Sequence, residues 1–425
     1  MQSKINRPVI AWALYDWASS AFSTTVMAVF FPIFFRKYWS LGSDTVDTTA
    51  RLGFANSIAG LAVALMAPVI GAIADRGSTK KRFLFLFAYM GTVMTAALFL
   101  VDQGDWQLAI FCYVMAVIGF NGSIVFYDSL LSVVSPKDGL DFISCLGFSL
   151  GYLGGGLLLA VNVWMTLQPE TFGLADAAEA VRVSFLLVGI WWGLFSIPLF
   201  LFVKEPGQAS GESYLSIIVG GLGQLRDTFR EIKRLKPILL FLIAYWLYID
   251  GVDTIVVMAV NYGMSIGFTS NNLIAAILLV QFVGFPAAIG FGYLGGWIGC
   301  KNAIYIAIFV YLCMSVWGAF LNNLYEFYIL AVCIGLVQGG IQALSRSYYA
   351  KLIPQDKTAE YFGFYNMIGK FAAIIGPVLI GGCAVLAKNL GFNDDIASRI
   401  SLSSISLLFL LGGTFLIFSK GEVKK

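Results

Sequence analysis

Twelve runs of predominantly apolar residues, most of them 20 or more long and parted by short polar loops, govern what this 425-residue chain can become. A helix needs about 20 such residues to cross the hydrocarbon core of a bilayer. The runs predict membrane spans near 9–35, 53–74, 83–101, 106–131, 142–163, 183–203, 237–262, 272–297, 303–321, 326–350, 361–387 and 400–418, numbered here 1 to 12. The first follows Lys4 and Arg7 and is too long for a cleaved signal peptide, so it reads as an uncleaved span.

Composition agrees with a lipid-facing exterior. The chain is 59% hydrophobic and only 12% charged, with a mean hydropathy of +0.83, too little polar surface to disperse a soluble protein of this size. A net charge of +3 without a continuous basic patch argues against a nucleic-acid partner. Six cysteines lie scattered with no C-x-x-C pair, which argues against a disulfide framework or a zinc site, and no metal site is expected. There is no histidine, so proton handling falls to carboxylates, or failing those to lysine or tyrosine.

Loop charge sets the expected orientation. Arg36, Lys37, Arg51, Arg182, Lys388 and Arg399 are the six basic residues of the odd-numbered loops, and the other 27 − 6 = 21 lie at the termini, on even-numbered loops or near their helix ends. The positive-inside rule then puts both termini in the cytoplasm of a multi-pass protein, expected in the plasma (inner) membrane of a bacterium.

The longest interruption, 204–236, divides the chain into residues 1–203 and 237–425. Within it Leu215, Ile218, Leu222, Leu225, Phe229 and Ile232 form one apolar stripe beside Arg226, Arg230, Lys233, Arg234 and Lys236, the pattern of an interfacial amphipathic helix. The two parts echo one another. Trp12-x-x-x-Asp16 returns as Trp246-x-x-x-Asp250, Ser135-Pro136-Lys137-Asp138 as Ile353-Pro354-Gln355-Asp356, and Gly71 and Lys80 align with Gly292 and Lys301. Such repeats, related by an axis along the membrane normal, place a solute site near mid-bilayer in rocking carriers.

Between spans 2 and 3 stands Gly71-Ala-Ile-Ala-Asp75-Arg76-Gly77-Ser-Thr-Lys80-Lys81-Arg82. Gly71 permits close helix approach, Asp75 can cap and pair at a helix end, Gly77 is expected to turn the chain, and Arg76 and Lys81 belong to a basic cluster. The segment resembles the loop motif of the major facilitator superfamily; read blandly, its cations only anchor the loop. Its second copy, Gly292 to Lys301, has lost the acid and the arginine, so a charge-relay latch cannot work there in the same way. The blocks Ala13–Phe22, Phe30–Phe35, Gly335–Ser347 and Gly363–Phe371 resemble the vacuole-effluxer-like branch of that superfamily. The resemblance implies an all-α membrane protein with twelve transmembrane helices in two pseudo-symmetric six-helix bundles, acting as a monomer.

Ionisable groups inside a bilayer cost roughly 2.5–3.5 kcal/mol on insertion scales and default to function. Asp16, Ser20 and Thr24 are spaced to share a face of span 1, and Asp250 and Asp253 share one of span 7, where the pair should titrate together. Asp253 could instead sit hydrated near the outer mouth. Gln338, Gln342 and Arg346 follow at intervals of four on span 10, as do Asn366 and Lys370 on span 11. Lys370 suits a substrate carboxylate or one of the aspartates, and equally a structural ion pair; the glutamines serve solute contact or interhelical packing. Asp128 and Arg346 each stand eight residues before a matching proline (136 − 128 and 354 − 346), the places of a two-sided gate. Small-residue ladders run along span 5 (Gly147, Gly151, Gly155) and span 8 (Gly284, Ala288, Gly292, Gly296); the resemblance implies that these spans face each other, where such ridges either let them slide or serve tight packing.

The expected function is secondary transport of a small polar or zwitterionic, amino-acid-like solute, coupled to a proton or another ion. A multidrug or siderophore exporter on the same fold and a non-transporting scaffold or receptor are the alternatives. No enzymatic activity and no cofactor are expected, since Gly363 to Lys370 has the wrong spacing for a phosphate loop.

Overall fold

Side chains of Asn6, Asp176, Thr269, Asn323 and Asn393 accept from backbone N–H groups three residues on, closing the first turns of five helices. These polar ends lengthen the spans beyond their apolar cores. The computed structural model describes residues 5–205, 214–265, 269–321, 323–372 and 375–419. Among them, twelve helices are long and apolar enough to cross a membrane: Arg7–Trp39, Val46–Gly77, Lys80–Leu100, Trp106–Val134, Lys137–Leu167, Ala177–Phe202, Lys236–Val256, Asn271–Ile298, Cys300–Phe320, Leu324–Leu352, Gln355–Asn389 and Ile396–Phe418. They coincide in order with the twelve expected spans.

Several spans are not regular helices. Span 1 is α-helical to Ala21 and then wound as a π-helix over Phe22–Phe30. The wider winding takes Thr24 off the four-residue register of Asp16 and Ser20, and its hydroxyl bonds back to the Ser20 carbonyl at 2.8 Å. Span 11 is made of two helices, Thr358–Phe371 and Ile375–Asn389. The second carries Pro377 in its first turn, a place where the N–H that proline lacks has no helical partner to serve.

The polar connections repeat. A proline, a 3₁₀ turn and a new helix follow span 4 (Pro136, Lys137–Gly139, Leu140) and span 10 (Pro354, Gln355–Lys357, Thr358). The interval is constant, 354 − 136 = 358 − 140 = 218.

The chain packs as two compact units. The first comprises Met1–Pro136, Leu150–Gly223 and Gln355–Asn366; the second comprises Lys137–Ser149, Gln224–Pro354 and Met367–Lys425. The opening turns of span 5 thus belong with the second unit, and those of span 11 with the first.

The linker forms one helix, Tyr214–Arg234. Thr228 and Ile232 are buried while Phe229 is 50% exposed. The covered face is therefore rotated from the sequence stripe and centred between Leu225 and Ile232. The side chains of Leu215, Ile218 and Leu222 lie outside the described residues.

Candidate functional site

At the even-loop side of the first unit, the Asp75 side chain is 1% exposed and bonded on three sides. Lys80 Nζ lies 2.8 Å from one oxygen, and the N–H groups of Ala359 and Glu360 donate to the two oxygens at 3.1 and 2.8 Å. Those amides open the first helix of span 11, where backbone donors lack helical partners and the dipole favours an anion. Lys80 also reaches the Thr358 hydroxyl at 2.7 Å. Gly71 is what allows this approach, since a Cβ there would come within 2.9 Å of the Glu360 Cα. Gly363, one turn on, packs the same way against Ala67 and Pro68 of span 2.

The rest of the motif is divided. Gly77 does not turn the chain: it is the last helical residue, and the left-handed residue is Ser78 (φ 49°). The turn falls one residue late because the Ser78 and Thr79 N–H groups bond back to Asp75 and Ala74 to finish the helix. Lys81 closes a different helix end, donating to the carbonyls of Phe200 and Val203 at 2.9 and 2.6 Å. Glu205 accepts from the N–H groups of Lys80 and Lys81 at 2.8 and 3.1 Å. Arg76 lies against the backbone of Gly220 in the linker helix.

In the second unit Lys301 donates to the carbonyls of Ile417 and Ser419, both at 3.1 Å, and so closes span 12 as Lys81 closes span 6. Both are second residues of their helices, which start at Lys80 and Cys300. Lys81, not Lys80, is therefore the counterpart of Lys301, the first loop being one residue longer. The acid missing from the second loop has a substitute on span 5. Asp141 holds Lys351 of span 10 through both oxygens, at 2.7 and 2.6 Å, and accepts from the Ser347 hydroxyl at 2.6 Å. Gly292 lies against Cys145 and Phe142, repeating on span 5 what Gly71 does on span 11.

Arg346, 3% exposed, donates to the hydroxyl and the carbonyl of Ser144, both at 2.9 Å, and its guanidinium stacks 4.5 Å from the Phe148 ring. Asp128, 4% exposed, accepts from Asn366 at 3.3 Å. The 218 interval relates Asp128 to Arg346 and Phe148 to Asn366. Each candidate gate residue thus meets a side chain at equivalent positions on span 5 and span 11.

Deeper in the spans, Asp16 is buried and accepts from the Tyr127 hydroxyl at 2.7 Å; Tyr127 stacks on Trp12, whose indole N–H donates to the Tyr127 carbonyl. Asp250, fully buried, takes a different role. Its oxygens accept from the N–H groups of Ile375 and Gly376, both at 2.9 Å, and from Thr254 at 3.1 Å. It caps the second helix of span 11 from span 7. Asp253 is half-buried and within electrostatic reach of both Asp250 and Lys370, the latter in the last turn of the first helix of span 11. Gln338 and Gln342 are half-buried on span 10. Of the glycine ladder on span 5, Gly151 packs on Ser20 and Asp16 of span 1, and the neighbouring Gly154 packs on Trp17 of the same span.

Asp141, Ser144, Ser347, Lys351 and Glu205 were not singled out by sequence, and Lys80 was read only as part of the basic cluster and as the counterpart of Lys301. Asp141 and Lys351 read as ordinary charges at loop edges, and only the 218 interval, applied to the loop turns, would have drawn attention to span 5.

The family model described as vacuole effluxer Atg22-like matches residues 5–139 and 135–412. The chain is 36% identical to the MFS-type transporter YxiO of Bacillus subtilis (strain 168), over 99% of this chain and 97% of that protein. It is 24% identical to autophagy-related protein 22 of Eremothecium gossypii, over 89% and 85% of the two chains. Among solved structures it is similar to the major facilitator proton:xylose symporter XylE, with a TM-score of 0.68 at 12% identity, covering 98% and 96%. The fold is that of the major facilitators, which are secondary transporters and not enzymes. With twelve spans in that order and a family model that covers nearly all of its length, the chain belongs to the vacuole effluxer Atg22-like family.

Proposed function

We propose that the protein carries a small polar or zwitterionic, amino-acid-like solute across the membrane by alternating access, coupled to proton movement. The observation that carries this reading is that Asp250 of span 7 caps the second helix of span 11, with Asp253 three residues on and Lys370 in the last turn of that span's first helix. Broken helices with charged groups at mid-span are where transporters hold solutes and coupling ions, and a fixed charge at that depth is costly unless used. Lys370 offers an ammonium to a solute carboxylate; Asp253 offers an acceptor to a solute ammonium. Gln338, Gln342 and Asn366 supply neutral hydrogen bonds, and Asp250 and Asp16 are the carboxylates assigned to coupling. Carriage of a solute fits a family whose model is described as a vacuole effluxer, and proton coupling has a precedent in the fold relative named as a proton:xylose symporter.

The moving bodies in this reading are residues 1–203 and 237–425, joined by 204–236 and working as a monomer. The basic even-loop side is cytoplasmic, in the plasma membrane of a bacterium. Asp75 with Lys80, and Asp141 with Lys351, act as two latches that hold the cytoplasmic ends of spans 11 and 5; Asp128 and Arg346 form the gate between them. Purified protein in liposomes tests the proposal: accumulation of one or more labelled amino acids driven by an imposed pH gradient is expected, and no uptake or exchange across the panel refutes it.

A further inference from the structure

The linker helix has two unlike sides. Thr228 and Ile232 are buried and Leu225, Glu231 and Leu235 half-buried, whereas Arg226, Asp227, Phe229, Arg230, Lys233 and Arg234 are exposed. At 100° per residue the exposed cations share one continuous arc, with Phe229 at one edge and Asp227 at the other. Lys233 Nζ lies 4.5 Å from the centre of the Phe229 ring. Asp227 approaches Arg230 at 3.8 Å, both groups well exposed. The face therefore carries four cations against one anion, a balance of 4 − 1 = +3.

Its place relative to the bilayer is fixed by the chain. The helix ends at Arg234 and span 7 begins at Lys236, itself exposed. Helical bonding runs through the joint, from the Leu235 N–H to the Glu231 carbonyl at 2.8 Å and from the Leu239 N–H to the Leu235 carbonyl at 3.1 Å. At about 1.5 Å per residue Arg230 stands only about 9 Å before the span, and even a fully extended chain would put Lys233 no more than about 11 Å away. The polar headgroup layer is itself about 6–7 Å deep on each side. Lys233 and Arg234 are thereby held beside the headgroup layer, with Arg230 about 9 Å and Arg226 about 15 Å before the span along the helix, within reach of lipid phosphates for a helix that leans on the surface.

We propose that Arg226, Arg230, Lys233 and Arg234 form a binding surface for the phosphate groups of anionic phospholipids. The net positive balance selects anionic over zwitterionic headgroups, and Phe229 adds an apolar edge at the same depth. Each basic residue near a membrane surface contributes about fivefold in affinity, so two engaged cations give a preference above about tenfold.

The test uses the full-length protein in neutral detergent, titrated with phosphatidylglycerol or phosphatidylcholine and read by native mass spectrometry. The wild type is expected to bind phosphatidylglycerol at least about tenfold more tightly. The R226Q/R230Q/K233Q/R234Q variant, whose glutamines keep helix propensity, should fall to within about twofold between the two lipids. The R36Q/K37Q/K137Q/K388Q variant removes as many charges elsewhere and should keep the preference. Equal binding by the wild type, a preference surviving the linker substitutions, or an equal loss in the control would overturn the proposal.

Discussion

The Asp75 carboxylate lies against the backbone N–H groups of Ala359 and Glu360, 284 and 285 residues further along the chain. A side chain at the end of span 2 thereby caps the helix that opens span 11, and Lys80 completes its neutralisation.

Asp75→Asn leaves one acceptor oxygen where two N–H groups are served, and removes the charge that the helix terminus favours. An anion at such a terminus contributes about 0.3–2 kcal/mol. The latched state should weaken by up to about thirtyfold, seen as faster labelling of a cysteine placed at Ser78. Solute affinity should stay within about twofold, because the residue lies at a helix end beside a loop and not at mid-span; a large affinity loss with normal turnover would mean the loop touches solute.

Gly71 and Gly60 give a matched pair in one helix. At Gly71 a Cβ would press on the Glu360 backbone, and at Gly60 nothing stands within 4 Å. Gly60→Ala should stabilise by about 0.5–1 kcal/mol through helix propensity, whereas Gly71→Ala should lower the melting temperature in detergent and open the latch. Equal shifts for the two would contradict the close approach.

The Asp141–Lys351 pair is partly exposed, with side chains 10% and 31% accessible, so screening limits its worth to about 1–3 kcal/mol. Asp141→Lys and Lys351→Asp should each destabilise, and the double swap should recover at least half of the summed loss. Additive losses in a double-mutant cycle would show that the two do not interact.

The parts of this arrangement differ in how far sequence reveals them. Apolar length locates the twelve spans, because about 20 residues of hydrocarbon-compatible sequence have few other uses. The role of Asp75 is half legible: its capacity to cap is plain, but that it caps span 11 depends on Gly71 and Gly363 fitting against backbone far away in sequence. Asp141 is hidden because an acid at a loop edge is usually solvated, and its partners lie 206 and 210 residues on. The break in span 11 had a signal, Gly376-Pro377, inside what composition reads as one run. Ser78 shows the opposite error, since the glycine beside it attracts the turn that the cap bonds place one residue later.

Asp128 and Arg346 meet Asn366 and Phe148, positions joined by the same 218 interval. If the two form one gate, Asp128→Arg and Arg346→Asp should each favour the state open to the cytoplasm, by about 1–3 kcal/mol. The double swap should restore cytoplasmic protection of an introduced cysteine, whereas additive effects would separate the two sites.

Asp250 gives the most direct test of the carrier itself. Asp250→Asn retains an acceptor for the Ile375 and Gly376 N–H groups but cannot take up and release a proton. Proteoliposomes of the wild type and this variant are to be compared for gradient-driven accumulation and for solute counterflow at zero gradient. Loss of accumulation with counterflow preserved is the predicted result, since exchange needs no net proton movement. Full accumulation with an unchanged pH profile in Asp250→Asn, and again in Asp16→Asn, would contradict carboxylate-coupled transport.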